Sequence, residues 1–201
     1  MIRAARTAPG ADLARLGDLG LLAMLTGLAA VLTVAMVLQY VDGELPCPLC
    51  LLQRVALFGV CFGLIRHFRP DDRGRGVGVA LLGALSLLVI AGRQTLLDIC
   101  PRPGHEYVGD AVLGLHMPVW SVLIALAVIA ALAAQVAVVG GTAEGRVPSP
   151  RLVRVAGYVG LYVLTLCALN LVSAILQCGL GACHTDGYRM LGSAAAAFAR
   201  L

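Results

Sequence analysis

Five long apolar runs limit what this chain can fold into. They lie at about Gly20–Val41 (GLLAMLTGLAAVLTVAMVLQYV), Leu49–Ile65, Val77–Ile99, Pro118–Gly140 and Val155–Gln177. A helix rising 1.5 Å per residue needs about 20 apolar residues to cross the hydrocarbon of a bilayer, and four of the five runs reach that length. The second is short and is interrupted by Gln53 and Arg54, so it is expected to span only with Arg54 near one interface, where its side chain can snorkel. The chain is 60% hydrophobic and 13% charged over 201 residues, against about a quarter charged for a soluble domain. The expectation is an all-α membrane protein, a transmembrane helical bundle embedded in the lipid bilayer, with residues 1–201 forming a single integral membrane domain. The first run exceeds the length of a signal-peptide core and shows no small-x-small cleavage site, so it reads as an uncleaved span.

Arginines set the orientation. All fifteen basic residues are arginine. Arg3, Arg6 and Arg15 precede the first run, Arg66, Arg69, Arg73 and Arg75 follow the second, and Arg146, Arg151 and Arg154 precede the fifth. These alternate segments are expected to be cytoplasmic, which places the N-terminus inside and the C-terminus outside. The opposite segments hold Arg102, Arg189 and Arg200, with Arg54 and Arg93 near the membrane edge. The net charge of +4 forms no basic stripe with interleaved aromatics, so nucleic-acid binding finds no support. Prolines at 46, 48, 101, 103, 148 and 150 mark loops. There is no tandem repeat and no soluble domain. The stretch SAAAAFAR near the end reads as a frayed tail or a short interfacial helix.

Five of the seven cysteines fall on the outer side: Cys47, Cys50, Cys100, Cys178 and Cys183. In a bacterial cell that side is the oxidising periplasm, where disulfides persist. Cys47 and Cys50 form a C-x-x-C in PCPLCLLQR (46–54). Closing so small a ring restricts the unfolded chain little, so a structural role explains the pair less well than redox exchange. Zinc would want four ligands, and Cys47, Cys50, Cys178 and Cys183 could supply them, but an oxidising compartment and the nearby arginine favour exchange. Cys50 and Arg54, at i and i+4, share a helix face. The arginine can stabilise a thiolate, polarise the carbonyl of an apolar acceptor, or serve as an interface anchor.

The tail QCGLGACH offers a second pair, Cys178 and Cys183, whose glycine-rich four-residue spacer allows a disulfide. Such a mobile bridge suits attack by a thiol of another protein, or clasps the end of the fifth span. Cys100 is left as the odd outer cysteine, a possible accessory thiol. Cys61 and Cys167 fit helix packing, and His116 fits a hydrogen-bonding loop residue.

PCPLCLLQR after the first span resembles the quinone-facing motif of the disulfide bond formation protein B (DsbB) family, a C-x-x-C followed four residues later by arginine. VLGLHMPVW at 112–120 resembles that family's G-L-x-M-P-x-W segment. The likeness covers roughly residues 15–140. It implies a four-helix DsbB-like core, here with a fifth span, in a bacterial inner membrane. It also implies a thiol:quinone oxidoreductase that reoxidises a periplasmic thioredoxin-fold (DsbA-like) dithiol oxidase and passes electrons to ubiquinone or menaquinone from the membrane pool. Cys50 would lie beside the quinone with Arg54 close by. Family members commonly carry the second cysteine pair between the third and fourth spans, where this chain has only Cys100. Its candidate second pair lies in the tail. A histidine linked to quinone in some members is replaced around Gln94, which leaves Arg93 and Gln94 as quinone-site candidates. The expected relay runs from the partner to Cys178–Cys183, then to Cys47–Cys50, then to quinone.

Two other readings compete. A vitamin K epoxide reductase-like enzyme would carry its C-x-x-C late in the bundle. A membrane scaffold or transporter would place polar residues deep in several spans, for which Gln135 in the fourth span and Asn170 and Ser173 in the fifth give thin support.

Overall fold

A computed structural model describes residues 9–69, 72–100, 112–139 and 148–179, together with 183, 188 and 190. Arg3, Arg6, Arg102, Arg146, Arg189, Arg200 and the SAAAAFAR stretch lie outside the described residues. The order is α1 (Pro9–Val41), α2 (Pro48–His67), α3 (Arg73–Ile99), α4 (Met117–Val139) and α5 (Pro150–Cys178). All five are long and apolar enough to cross a membrane, and no strand occurs among the described residues. The protein is an all-α helical membrane bundle.

Proline and cap chemistry set the starts of α2 and α5. Pro48 and Pro150 occupy first-turn positions, where the missing N–H costs nothing. Ser149 caps α5 by accepting from the Leu152 N–H. The cap of α2 is Cys47, whose Sγ accepts from the Cys50 N–H at 3.1 Å. At 20 residues, α2 is about 30 Å long and matches the hydrocarbon thickness.

Helices α1 to α4 pack in a ring, each against the next and α4 back against α1, while α5 lies in the outer groove between α1 and α2. The tightest seam joins α2 to α3 and is lined by small residues. A Cβ built on Gly63 would stand 2.3 Å from the Ala80 nitrogen, one on Gly76 2.5 Å from the His67 nitrogen, and one on Gly83 2.7 Å from the Val60 nitrogen. Backbone meets backbone there, which is how membrane helices gain van der Waals contact without a hydrophobic driving force between them. The buried face of α3 continues as Gly76, Val77, Ala80, Ala84, Leu87, Ala91 and Gln94, a helical spacing that ends on a polar residue.

The two ends of the bundle differ in chemistry. At the end holding the α2–α3 turn, Asp18 of α1 accepts from Arg73 and lies 3.1 Å from His67 Nε2, all three groups being buried or nearly so. Arg66 pairs with Asp72 at 2.8 Å and holds that carboxyl below the usual range. The other end gathers uncharged polar side chains and cysteines around the start of α2.

Candidate functional site

The thiol pair sits where α2 begins. Cys47 is buried at the cap, and Cys50 is half-buried in the first turn. Helix N-termini favour negative charge, and a further donor arrives from α3: Gln94 Nε2 lies 3.6 Å from Cys47 Sγ and 3.7 Å from Cys50 Sγ. Gln94 is itself held. Its Oε1 accepts from Gln53 Nε2 at 2.7 Å, and Gln53 Oε1 accepts from the Ser121 hydroxyl of α4 at 2.7 Å. A chain of hydrogen bonds thus runs from α4 through α2 and α3 to the sulfurs and fixes which end of the Gln94 amide faces them. Because Gln53 and Gln94 are buried, each amide must find partners within the protein.

Arg54 does not snorkel. It is 8% exposed and turns inward to α1 and α5. Its Nη2 donates to the Ala35 carbonyl at 2.9 Å, and Nη1 donates to Gln39 Oε1, to Asn170 Oδ1 at 3.3 Å and to Met36 Sδ at 3.5 Å. All four acceptors are uncharged, so no carboxylate pairs with the guanidinium in these hydrogen bonds. The expected snorkelling does not occur: the short second run is long enough to span with its arginine turned inward, where neighbouring helices satisfy it.

Arg93 and Gln94 separate. Gln94 faces the sulfurs, while Arg93 is exposed on the outer side of α3, in a shallow groove with Leu88, Val89, Gly92, Leu96, Leu97 and Cys100. Cys100 caps the end of α3 and is exposed. Cys61 is buried in the core and Cys167 is half-buried on α5.

Cys178 and Cys183 form a disulfide with Cα atoms 4.2 Å apart. Cys178 is the last residue of α5 and is buried, and Gly179 turns the chain at φ +61°, a left-handed conformation suited to glycine. One half of the bridge is therefore fixed by a helix rather than swinging free. Next to it, Gln177 donates to the Pro46 carbonyl at 2.9 Å, so the immediate neighbours of Cys178 and Cys47 are in contact. Beyond the bridge, the Tyr188 hydroxyl accepts from Gln39 Nε2 at 3.0 Å. Asn170, Ser173 and Gln177 form one buried face of α5 and contact Arg54, Tyr40 and Pro46 respectively. Asn170 and Ser173 are thus consumed in helix contacts rather than lining a path, which removes their support for a transporter.

The VLGLHMPVW segment shapes the entry to α4. Val112 and Leu115 exchange two backbone hydrogen bonds around Leu113 (φ +53°) and Gly114 (φ +77°), and Trp120 Nε1 donates back to the Val112 carbonyl at 3.0 Å. The turn and its tryptophan strap place Ser121 above Gln53.

Several of these residues carry no motif. Gln53 and Ser121 look unremarkable in sequence, although a glutamine beside an arginine inside an apolar run is itself a signal. Gln39, Gln177 and Tyr188 gave no signal at all.

The fold and site define a multi-pass membrane protein with a thiol pair, one sulfur buried and one half-buried, at a helix start and a disulfide nearby. A family model described as "Disulfide bond formation protein DsbB" matches residues 18–106. Over that segment, which holds most of α1 and all of α2 and α3 with Cys47, Cys50, Arg54 and Gln94, the chain is similar to the DsbB family. It is similar to the disulfide bond formation protein B of Chromohalobacter salexigens, with 35% identity over 47% of this chain and 59% of the relative. It is also similar to that of Nitrosomonas europaea, with 41% identity over 37% and 48% of the two chains, and to that of Cupriavidus metallidurans, with 26% identity over 47% and 76%. The chain thus spans about half to three-fifths of the first two relatives. No solved structure matches. Cys178 and Cys183 lie beyond the segment that the family model matches.

Proposed function

We propose that the protein is a thiol:quinone oxidoreductase of a bacterial inner membrane, which reoxidises a periplasmic DsbA-like dithiol oxidase and delivers the electrons to ubiquinone or menaquinone. The observation that carries this reading is the Cys47–Cys50 pair at the start of α2, with the Gln94 amide on both sulfurs, inside the segment shared with the DsbB family. The catalytic residues are Cys47, Cys50, Cys178 and Cys183.

The residues present fit a quinone. Cys50 is half-buried, Gln94 offers an amide beside it, and Arg54, whose acceptors among the described residues are all uncharged, stands one turn along α2. Cys50, Gln94 and Arg54 would hold the ring. Arg93 stands on the lipid-facing side of α3, where it can guide a lipid-soluble molecule along the groove it lines. When bound, the quinone accepts two electrons and two protons. The protein contributes a sulfur that receives hydrogen bonds at a helix start and from Gln94, and a fixed cation that stabilises negative charge as it develops. Cys47 is the buried cap of α2, and its neighbour Pro46 touches Gln177 beside the tail pair. The Cys47 thiol is pushed up by the hydrogen bond with Cys50 and by burial.

The test uses purified protein in nanodiscs, a reduced thioredoxin-fold dithiol oxidase and a short-chain ubiquinone followed by absorbance. Quinone reduction that requires the dithiol, and that Cys47→Ser and Cys50→Ser each abolish, is the expected result. Near-normal turnover by either variant overturns the reading.

A further inference from the structure

Gln39 of α1 is 2% exposed, so both ends of its amide must be satisfied inside the protein. Its Oε1 accepts from Arg54 Nη1, and its Nε2 donates to the Tyr188 hydroxyl at 3.0 Å. A guanidinium only donates. The oxygen end of the amide therefore has to face Arg54, and the nitrogen end is left to face Tyr188. That tyrosine comes from the tail beyond α5. Cys183 is bonded to Cys178, the last residue of α5, and Met190 Cγ lies 3.8 Å from the place a Cβ on Gly179 would take. The tail is thus held to the end of α5 at Cys183 and Met190, and reaches α1 at Tyr188. Arg54 has three further acceptors: the Ala35 carbonyl, the Asn170 amide and the Met36 sulfur. Of these a thioether is a weak acceptor, and Asn170 stands at the long distance of 3.3 Å.

We infer that Tyr188 and Gln39 are positioning residues for Arg54: the tail hydroxyl holds the amide, and the amide holds the guanidinium. The tail then completes the seat of the buried cation, a task separate from that of its cysteines. This rests on the function proposed above, in which Arg54 faces the quinone. Two substitutions act on the chain in opposite ways. Tyr188→Phe leaves a buried N–H of Gln39 without its acceptor, which costs free energy until the amide turns to another partner. Arg54 then loses its Gln39 contact and is free to shift among the remaining three. Gln39→Glu keeps the shape and sets a carboxylate against the guanidinium. At hydrogen-bond distance away from water, that pair cancels most of the field Arg54 exerts on its neighbours. A residue with a packing role alone would tolerate the new ion pair. A residue that keeps the cation placed and uncancelled would not.

The experiment reads Cys50, one turn along α2 from Arg54, in the full chain in nanodiscs. A Cys47→Ala, Cys100→Ala background leaves Cys50 as a free thiol with the tail bridge intact, so no reductant is needed. Iodoacetamide at neutral pH is followed by peptide mass. Adding Gln39→Glu should slow Cys50 alkylation about tenfold, because a nearby positive charge is cancelled. Adding Tyr188→Phe should slow it about threefold, the effect of one hydrogen bond. Because Tyr188 acts through Gln39, Tyr188→Phe should change nothing further in a Gln39→Leu form. With all cysteines restored, Tyr188→Phe should raise the KM for a short-chain quinone about threefold, again the effect of one hydrogen bond, while kcat holds. Tyr188→Phe and Gln39→Leu carry the test if Gln39→Glu does not accumulate. Alkylation unchanged in Gln39→Glu, or a Tyr188→Phe effect undiminished in Gln39→Leu, overturns the inference. The expected alkylation pattern in a protein that reduces no quinone would instead sink the proposed function and leave Tyr188 and Gln39 as the residues that place Arg54.

Discussion

Arg54 of α2 donates to Asn170 of α5 at 3.3 Å, deep in the bundle and with no carboxylate among its hydrogen-bond partners. Among the described residues, a cation in that setting is held by dipoles, from the Ala35 carbonyl, the Gln39 amide and the Asn170 amide. Such an arrangement keeps the charge available for a developing anion, whereas a salt bridge would neutralise it. It also ties the fifth helix to the helix that bears the thiol pair.

Arg54→Gln is expected to raise the apparent quinone KM about tenfold while the protein still inserts, because a charged donor is lost and the hydrogen-bonding shape is partly kept. Asn170→Leu should raise it less, since it only loosens the arginine. Steady-state kinetics with a short-chain quinone, alongside the amount of protein in membranes, checks both. Unchanged quinone kinetics in Arg54→Gln would leave the arginine a structural bridge.

The Gln94 amide is the one side-chain donor shared by both sulfurs among the described residues. Gln94→Leu removes it, and Gln53→Leu frees it to turn away. In the reduced protein, alkylation of Cys50 by iodoacetamide at neutral pH should slow about fivefold to tenfold in Gln94→Leu, and by a smaller factor in Gln53→Leu, as expected when a hydrogen bond to a thiolate is lost. If Gln53→Leu leaves the rate untouched, the chain from Ser121 has no hold on the thiols.

The helical bundle and four of its five spans were legible from apolar run length, because the bilayer demands about 20 apolar residues per helix. The C-x-x-C and Arg54 were legible because thiols and a cation inside an apolar chain need a reason. The destination of Arg54 was not legible. Whether a long side chain leaves the bilayer or turns inward depends on acceptors from α1 and α5, which are distant in sequence. The choice between Arg93 and Gln94 depends on helix phase: Gln94 continues the Gly76, Ala80, Ala84, Leu87, Ala91 face and Arg93 does not. That pattern was present in the sequence, as was Gly59-x-x-x-Gly63 on α2, and together they foretell the α2–α3 seam. The fixed position of Cys178 was hidden, since two nearby glycines suggest mobility and only the tertiary contact of Gln177 shows otherwise.

That seam is testable. A methyl group at Gly63 would meet Ala80 backbone atoms at 2.3 and 2.7 Å, and a backbone cannot move aside as a flexible side chain can. Gly63→Ala should therefore part α2 from α3, at a cost on the order of 1–3 kcal/mol typical of overpacking. It should also carry Gln94 away from the sulfurs. A lower melting temperature in detergent, together with slower Cys50 alkylation, is the expected pair of results. Gly78→Ala, where a Cβ would meet nothing within 4 Å, is the control. Equal melting temperatures for the two variants would rule out the close approach.

The last prediction concerns which way the bundle faces. The thiol pair, Gln94, Ser121 and the α5 end with Cys178 share one end of the bundle, and Asp18, Arg66, His67 and Arg73 share the other. Arginines collect on the cytoplasmic side of membrane proteins, and disulfides persist on the oxidising side, so the two ends point to opposite compartments for independent reasons. With five spans, a cytoplasmic start gives a periplasmic finish. Alkaline phosphatase, which needs the periplasm to form its own disulfides, should be active when fused after residue 201 and inactive when fused within the α2–α3 turn at Arg69. Green fluorescent protein at the same two sites should show the reverse pattern. A fluorescent, phosphatase-inactive fusion after residue 201 would put Cys178 and Cys183 in a reducing compartment. The proposed exchange with a periplasmic partner would then have no route to the Cys47–Cys50 pair.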